Sequence, residues 1–140
     1  MGDYFSHWLE FGAGLSHPPR MFNVNWFRRD EQGKFLWPGF SDNFRILKWI
    51  IDRVRGRAVA VQGPLGWTPR YEDLDWRGIK FTKEQFDAAM STKKDDWVAE
   101  LASHDDLYFK LFDTLPREFP SIRILLVASL FRADKRRHKA

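Results

Sequence analysis

Phe27, Phe35, Phe40 and Asn43 are the residues whose types and spacing bear most directly on chemistry. They lie in a turn-rich stretch, residues 22–44, that holds seven aromatics in 23 positions against an aromatic share of 16% for the whole chain. Rings brought together from separate turns make a site for a planar ligand, because a base stacked on an aromatic side chain gains about 1–3 kcal/mol and any π face will serve. Stacking alone does not separate guanine from adenine. That takes a polar group at the base edge, where guanine offers its O6 acceptor and adenine an amino donor. Asn43 can supply one through its side chain, or through its backbone N–H at a helix start, where the first four N–H groups lack intrahelical partners. The competing reading is that all seven aromatics fill the core of a small sheet, the usual fate of an aromatic stripe.

The elements that must position these residues follow from periodicity and punctuation. Phe22, Val24 and Trp26 alternate with Asn23 and Asn25, the period of a half-buried strand, and Lys34 to Trp37 reads as its partner across the turn Asp30-Glu31-Gln32-Gly33. Pro38-Gly39 breaks this short β-hairpin, and Ser41 or Asp42 caps a helix over about 42–55 that carries Ile46, Leu47, Trp49, Ile50, Ile51 and Val54 and stops at Gly56. Phe27, Phe35 and Phe40 then come from the end of one strand, the start of the next and the loop beyond it. Residues 57–80 hold a Val-Ala-Val strand candidate and a long loop that either caps the core or lines a cleft, the favoured reading being that Trp67, Tyr71 and Trp76 pin it to the core. Thr82-Lys83-Glu84-Gln85 is a capping box opening a helix through Met90. Trp97, Leu101, His104, Tyr108, Leu111 and Leu115 recur at three and four, predicting a helix over 93–114 ended by Pro116, and a further apolar helix spans about 120–132. The fold class is α/β in the mixed α+β sense: a short hairpin followed by several helices.

The runs Phe22 to Asp30 and Gly33 to Phe40, followed by Asn43, closely resemble the GTP-dependent phosphoenolpyruvate carboxykinases. The resemblance extends upstream through Met1-Gly2-Asp3-Tyr4-Phe5-Ser6-His7-Trp8 and downstream through Pro64 to Pro69 and Asp73 to Gly78, covering about residues 1–131. It implies the C-terminal part of the nucleotide-binding lobe of a larger enzyme. In that family the phenylalanines matching Phe27, Phe35 and Phe40 enclose the guanine ring and the asparagine matching Asn43 contacts the base edge. The reaction implied is that of a lyase of gluconeogenesis, oxaloacetate and GTP giving phosphoenolpyruvate, GDP and CO2, with Mn2+ or Mg2+. The implied setting is cytoplasmic. Where the family has glycine and glutamate before the asparagine, this chain has Ser41 and Asp42. If the glycine takes positive φ, serine there is strained by about 1 kcal/mol.

Phosphoryl transfer needs a cradle for the phosphates and a divalent ion, and no Gly-x-x-x-x-Gly-Lys-Ser/Thr run occurs here. By the resemblance, the phosphate loop, metal ligands, catalytic lysine and oxaloacetate-binding arginines lie upstream, so no catalytic and no metal residue is assigned. Met1 falls at a position internal to the family, which raises the expectation of a truncated product partnered by a missing N-terminal part. The alternative is a non-catalytic fragment that persists only as an interaction or vestigial module.

Composition constrains the other function classes. The formal +4 charge suggests nucleic acid, but Arg132, Lys135, Arg136, Arg137 and Lys139 against Asp134 carry all of it, leaving 18 basic and 18 acidic residues elsewhere. Residues 132–140 therefore read as a basic, disordered tail, with no specific nucleic-acid partner. No secretory signal or membrane-length apolar run is visible, and with no cysteine there is no disulfide framework. His7, His17, His104 and His138 show no metal-binding spacing and no carboxylate partner at helical distance is expected for them.

Overall fold

The computed structural model describes residues 1–137, which fall into two compact units: Arg20–Ser91, and Met1–Pro19 together with the chain from Thr92 onward. The elements in chain order are α1 (Gly2–Ala13), α2 (Asn43–Val54), β1 (Val61–Gly63), β2 (Gly66–Thr68), α3 (Lys83–Met90), α4 (Lys94–Lys110) and α5 (Glu118–Arg137), with single 3-10 turns at Phe40–Asp42, Tyr71–Asp73 and Phe112–Thr114. This is the mixed α+β architecture expected, a two-stranded antiparallel sheet and several helices.

In the unit Arg20–Ser91 the core is aromatic. Trp37, Trp49, Leu74, Phe81 and Phe86 are buried, with Phe22, Trp26, Ile46, Ile50, Tyr71, Trp76 and Ile79 packed against them. The rings interlock: Trp76 stacks on Tyr71 at 5.2 Å and 14°, and lies 5.0 Å from Phe81 and 6.2 Å from Trp37. The Tyr71 hydroxyl donates to the Phe81 carbonyl at 2.6 Å and the Trp76 indole to the Tyr71 carbonyl at 2.8 Å. Tyr71 and Trp76 thus pin the long loop as expected, whereas Trp67 is exposed on β2.

α2 turns Ile46, Trp49 and Ile50 into this core and leaves Phe44, Leu47, Ile51 and Val54 exposed along its other side. It ends in a Schellman motif: Gly56 takes φ 72°, its N–H donates to the Arg53 carbonyl at 3.1 Å, and the Arg57 N–H donates to the Asp52 carbonyl at 2.8 Å. The capping box at α3 is formed as expected, with Gln85 N–H to the Thr82 hydroxyl at 3.3 Å and Thr82 N–H to the Gln85 side chain at 2.8 Å.

Strand placement differs from the expectation. Residues 22–37 contribute one isolated bridge, Arg29 with Phe35, and the two-stranded sheet lies instead at Val61–Gly63 and Gly66–Thr68, paired Val61↔Thr68, Gln62↔Trp67 and Gly63↔Gly66. The alternation at 22–26 is spent on packing Phe22 and Trp26 into the aromatic core, with no strand pairing there.

In the other unit the stripe Trp97, Leu101, His104, Tyr108, Leu111 and Leu115 faces inward as expected. α4 stops at Lys110, short of 114, because Leu115 is extended ahead of Pro116 and the intervening residues tighten into a 3-10 turn closed by Thr114 N–H on the Leu111 carbonyl at 2.8 Å. α5 starts at Glu118 and not 120, since Pro120 falls in its first turn, where the missing N–H costs nothing. It continues to Arg137, so the stretch expected as a tail is helical up to that residue, and 138–140 lie outside the described residues. Phe5 of α1 meets Phe119 of α5 at 5.1 Å, and Gly2 lies so close to Thr114 that a Cβ there would clash.

Two outcomes are expected. Trp49→Ala, which empties a site 5% exposed, costs about 3–5 kcal/mol of unfolding free energy by urea titration monitored at a residue of this unit. Asp52, Asp73 and Asp75 are held below the ordinary carboxylate range, chiefly by hydrogen bonds from Lys48, Arg70 and Arg77 respectively. Because their folded values lie below the unfolded ones, the stability they contribute is complete at neutral pH and is lost as pH falls below about 4. Urea midpoints should therefore stay level from pH 7 to 5 and drop at pH 3; a level midpoint through pH 3 would contradict these pairings.

Candidate functional site

The turn that carries Phe27 and Phe35 is organised by Asp30. Its carboxylate accepts the N–H groups of Gln32 at 3.0 Å and Lys34 at 2.8 Å, while Gly33 takes φ 79° and donates to the Asp30 carbonyl at 3.0 Å. Asp30 N–H to Lys34 carbonyl and Leu36 N–H to Arg28 carbonyl, each 2.9 Å, close the two sides. Arg28 then fastens this turn to the end of α3, donating to the Ala89 carbonyl at 3.1 Å and the Ser91 hydroxyl at 2.9 Å.

The aromatics of residues 22–44 divide cleanly. Phe22, Trp26 and Trp37 go to the core, whereas Phe27 is 75% exposed, Phe35 46% and Phe40 92%, with Phe44 also exposed. A core-filling role therefore does not cover the three phenylalanines singled out from the sequence. Phe27 and Phe35 are brought together, centroids 6.2 Å apart at 65°, so the pair presents a ring face and a ring edge. Phe40 is not brought to them: among the described residues its ring pairs with no other aromatic.

Phe40 opens the 3-10 turn that runs directly into α2, with Gly39 ahead of it at φ 157°, ψ 177°. Asn43 follows three residues later, and positions i and i+3 of such a turn lie one above the other. The Asn43 backbone N–H donates to the Phe40 carbonyl, so it is already spent, contrary to the expectation that it stands free. What remains is the side chain. Its Oδ1 accepts from the Trp37 indole N–H at 2.7 Å, and its amide nitrogen has no protein partner among the described residues.

The two departures in this loop are absorbed by the structure. No non-glycine residue takes positive φ among the described residues, so Ser41 carries none of the strain anticipated for it. Asp42 is buried and makes no capping bond; its carboxylate instead pairs with Arg45 Nε at 2.9 Å. The same guanidinium donates to the Asp75 carbonyl and, at 3.0 Å, to the Arg77 carbonyl, tying the Phe40 loop to the long loop.

Two contributors were not singled out from the sequence. The Arg29 guanidinium lies 4.2 Å from the Phe35 ring centroid and is held there by a 2.9 Å bond to the Gly33 carbonyl, covering one ring face with positive charge. The bridge pairing of residues 29 and 35 puts them side by side, and that pairing was readable only once the turn register was known. Trp37 is the other, through its bond to Asn43.

Elsewhere the chemistry is self-contained. A cleft of about 420 Å3 beside α2 is lined by Lys48, Asp52 and Arg57, which pair with one another at 2.9 and 2.8 Å. The larger cleft in the other unit, about 710 Å3, is lined by Asp3, Glu10, Asp113 and Glu118 with Arg117, an acidic setting unsuited to phosphate. Among the described residues no three of His, Cys, Asp and Glu converge where an ion could be held. His104 does have a carboxylate at helical distance, Glu100 at 3.6 Å one turn before it, contrary to expectation.

Arg45→Ala leaves the Asp42 carboxylate buried without its partner and should cost about 3 kcal/mol, read as a shift in the urea midpoint. A change under about 0.5 kcal/mol, the level of an ordinary surface substitution, would contradict this anchoring role.

Comparison with known proteins bears on the family of the chain. The family profile described as phosphoenolpyruvate carboxykinase C-terminal P-loop domain matches residues 1–125. The chain is 42% identical over 134 residues to the phosphoenolpyruvate carboxykinase [GTP] of Anaeromyxobacter dehalogenans, covering 96% of this chain and 22% of that protein. To the protein of the same name from Corynebacterium jeikeium it is 46% identical over 118 residues, 84% of this chain and 20% of the relative. The chain thus spans about a fifth of the length of the curated relatives it matches. With this identity across nearly all of its residues, the chain belongs to the GTP-dependent phosphoenolpyruvate carboxykinase family.

Proposed function

We propose that this chain supplies guanine recognition to a GTP-dependent phosphoenolpyruvate carboxykinase, with Phe27, Phe35 and Phe40 contacting the base and Asn43 reading its edge. The observation that carries the reading is the division of the aromatics: three rings stand exposed beside a core that holds their neighbours, Phe27 and Phe35 as a pair and Phe40 apart from them on the turn that leads to Asn43, and large apolar side chains left in water mark a binding surface. The Asn43 amide nitrogen is a free donor of the kind that O6 of guanine accepts.

In the complete enzyme the reaction is oxaloacetate and GTP to phosphoenolpyruvate, GDP and CO2, a step of gluconeogenesis in the cytoplasm. Stacking holds the base at one end of the nucleotide, and residues outside this chain place the γ-phosphate beside the enolate and a Mn2+ or Mg2+ ion. We assign no catalytic or metal-binding role to the residues of this chain; the N-terminal part of the same enzyme supplies those groups. The site here is one half of a nucleotide site. A second reading, a module that binds no nucleotide and acts only through contacts, is favoured by the exposed stripe Phe44, Leu47, Ile51 and Val54 on α2.

Calorimetric titration of the chain with GTP, GDP and ATP separates the two. Guanine nucleotides should bind more tightly than ATP, and Phe40→Ala should weaken GTP by about 1–3 kcal/mol. Equal or absent binding of all three removes the base-recognition role and leaves the second reading.

A further inference from the structure

We infer that Trp37 is a positioning residue for base selection: its buried indole N–H fixes the Asn43 amide so that the site can offer the base only a donor. The inference rests on the guanine-site reading above and deepens it.

An indole N–H donates and never accepts, whereas an asparagine side chain carries an acceptor on one branch and two donors on the other. Trp37 Nε1 and Asn43 Oδ1 are 2.7 Å apart. Turning the amide over would set its NH2 against the indole N–H, donor against donor, at that distance. The indole cannot yield, because Trp37 is 9% exposed and its ring is wedged against Trp26 at 5.3 Å, Phe81 at 5.9 Å and Trp76 at 6.2 Å. The oxygen is therefore committed to the core, and the unpartnered amide nitrogen is the group left for a ligand.

That outcome has a sign. Guanine presents an acceptor, O6, where adenine presents an amino donor, so a fixed NH2 attracts one base and opposes the other. An asparagine free to flip would serve either base equally well. Selectivity in this site thus depends on a residue that touches no ligand.

The test is the ratio of GTP to ATP affinity of the full chain by calorimetry, with ITP, which keeps O6 but lacks the 2-amino group, as a third probe. In Trp37→Phe the amide is released, and the ratio should fall about tenfold, the worth of one hydrogen bond, with ITP losing the same factor as GTP. A ratio unchanged from wild type overturns the inference alone, as does a loss for GTP that ITP does not share. A wild-type chain that does not discriminate GTP from ATP overturns the guanine-site reading, and the inference falls with it. Should Trp37→Phe fail to fold, Asn43→Asp carries the test: its carboxylate still accepts from the indole but offers no donor. The ratio must then collapse while the Trp37 indole proton keeps its wild-type NMR shift and protection; a retained ratio, or an indole proton that moves to the position of a solvent-exposed one, overturns the inference.

Discussion

A buried indole N–H must find an acceptor, because leaving it unpaired costs about 1–3 kcal/mol, and it has no other way to be satisfied. The unit Arg20–Ser91 is assembled around three such groups. Trp49 donates to the Val59 carbonyl at 3.1 Å, Trp76 to the Tyr71 carbonyl and Trp37 to the Asn43 side chain. The first two bonds tie an aromatic of the core to a segment with little regular structure of its own, and the last ties one to a helix. The first fixes the chain after α2, the second folds the long loop on itself, and the third reaches the start of α2. Only the last spends a side-chain acceptor, and it does so at the candidate site.

The rest of the site is held by arginines acting on backbone carbonyls. Arg28 reaches the carbonyls of Ala89 and Ser91, Arg45 those of residues 75 and 77, and Arg29 that of Gly33. A guanidinium with five donors in a fixed fork suits this task, since it can join several carbonyls of one loop while keeping an ion pair, as Arg45 does with Asp42. The phenylalanines can then stand in solvent on loops that do not collapse. Apolar rings exposed without such support would fold back onto the core, which is already filled by Trp26 and Trp37.

Punctuation was the most legible part of the sequence. Thr82 with Gln85 and Gly56 after α2 act within one turn of the chain, so their structural consequence is fixed locally. The residues Phe27, Phe35, Phe40 and Asn43 were also legible, but their geometry was not. The hairpin expected at residues 22–37 reduces to one bridge because Asp30 satisfies the turn N–H groups with its side chain, and Phe22 and Trp26 are drawn to a core whose other members lie far along the chain. The Asn43 N–H was unreadable for a related reason: a 3-10 turn ahead of the helix supplies the carbonyl that uses it. Nor could spacing show that Asp42 would be consumed by Arg45, since the choice between capping and pairing depends on where residues 75 and 77 lie.

Exposed apolar stripes on α2 and along α5, including Ile124 and Leu125, fit a chain that spans about a fifth of the length of its relatives. The proposed base recognition is itself local, three rings and one oriented amide against guanine. Intermolecular NOE spectroscopy on the isotopically labelled chain reads that directly. With GTP, contacts from guanine H8 and the ribose H1′ should appear at the ring protons of Phe27, Phe35 and Phe40, and the Asn43 side-chain NH2 should shift, whereas ATP at the same concentration leaves both unchanged. Guanine contacts confined to other residues, or the same pattern with ATP, would contradict it.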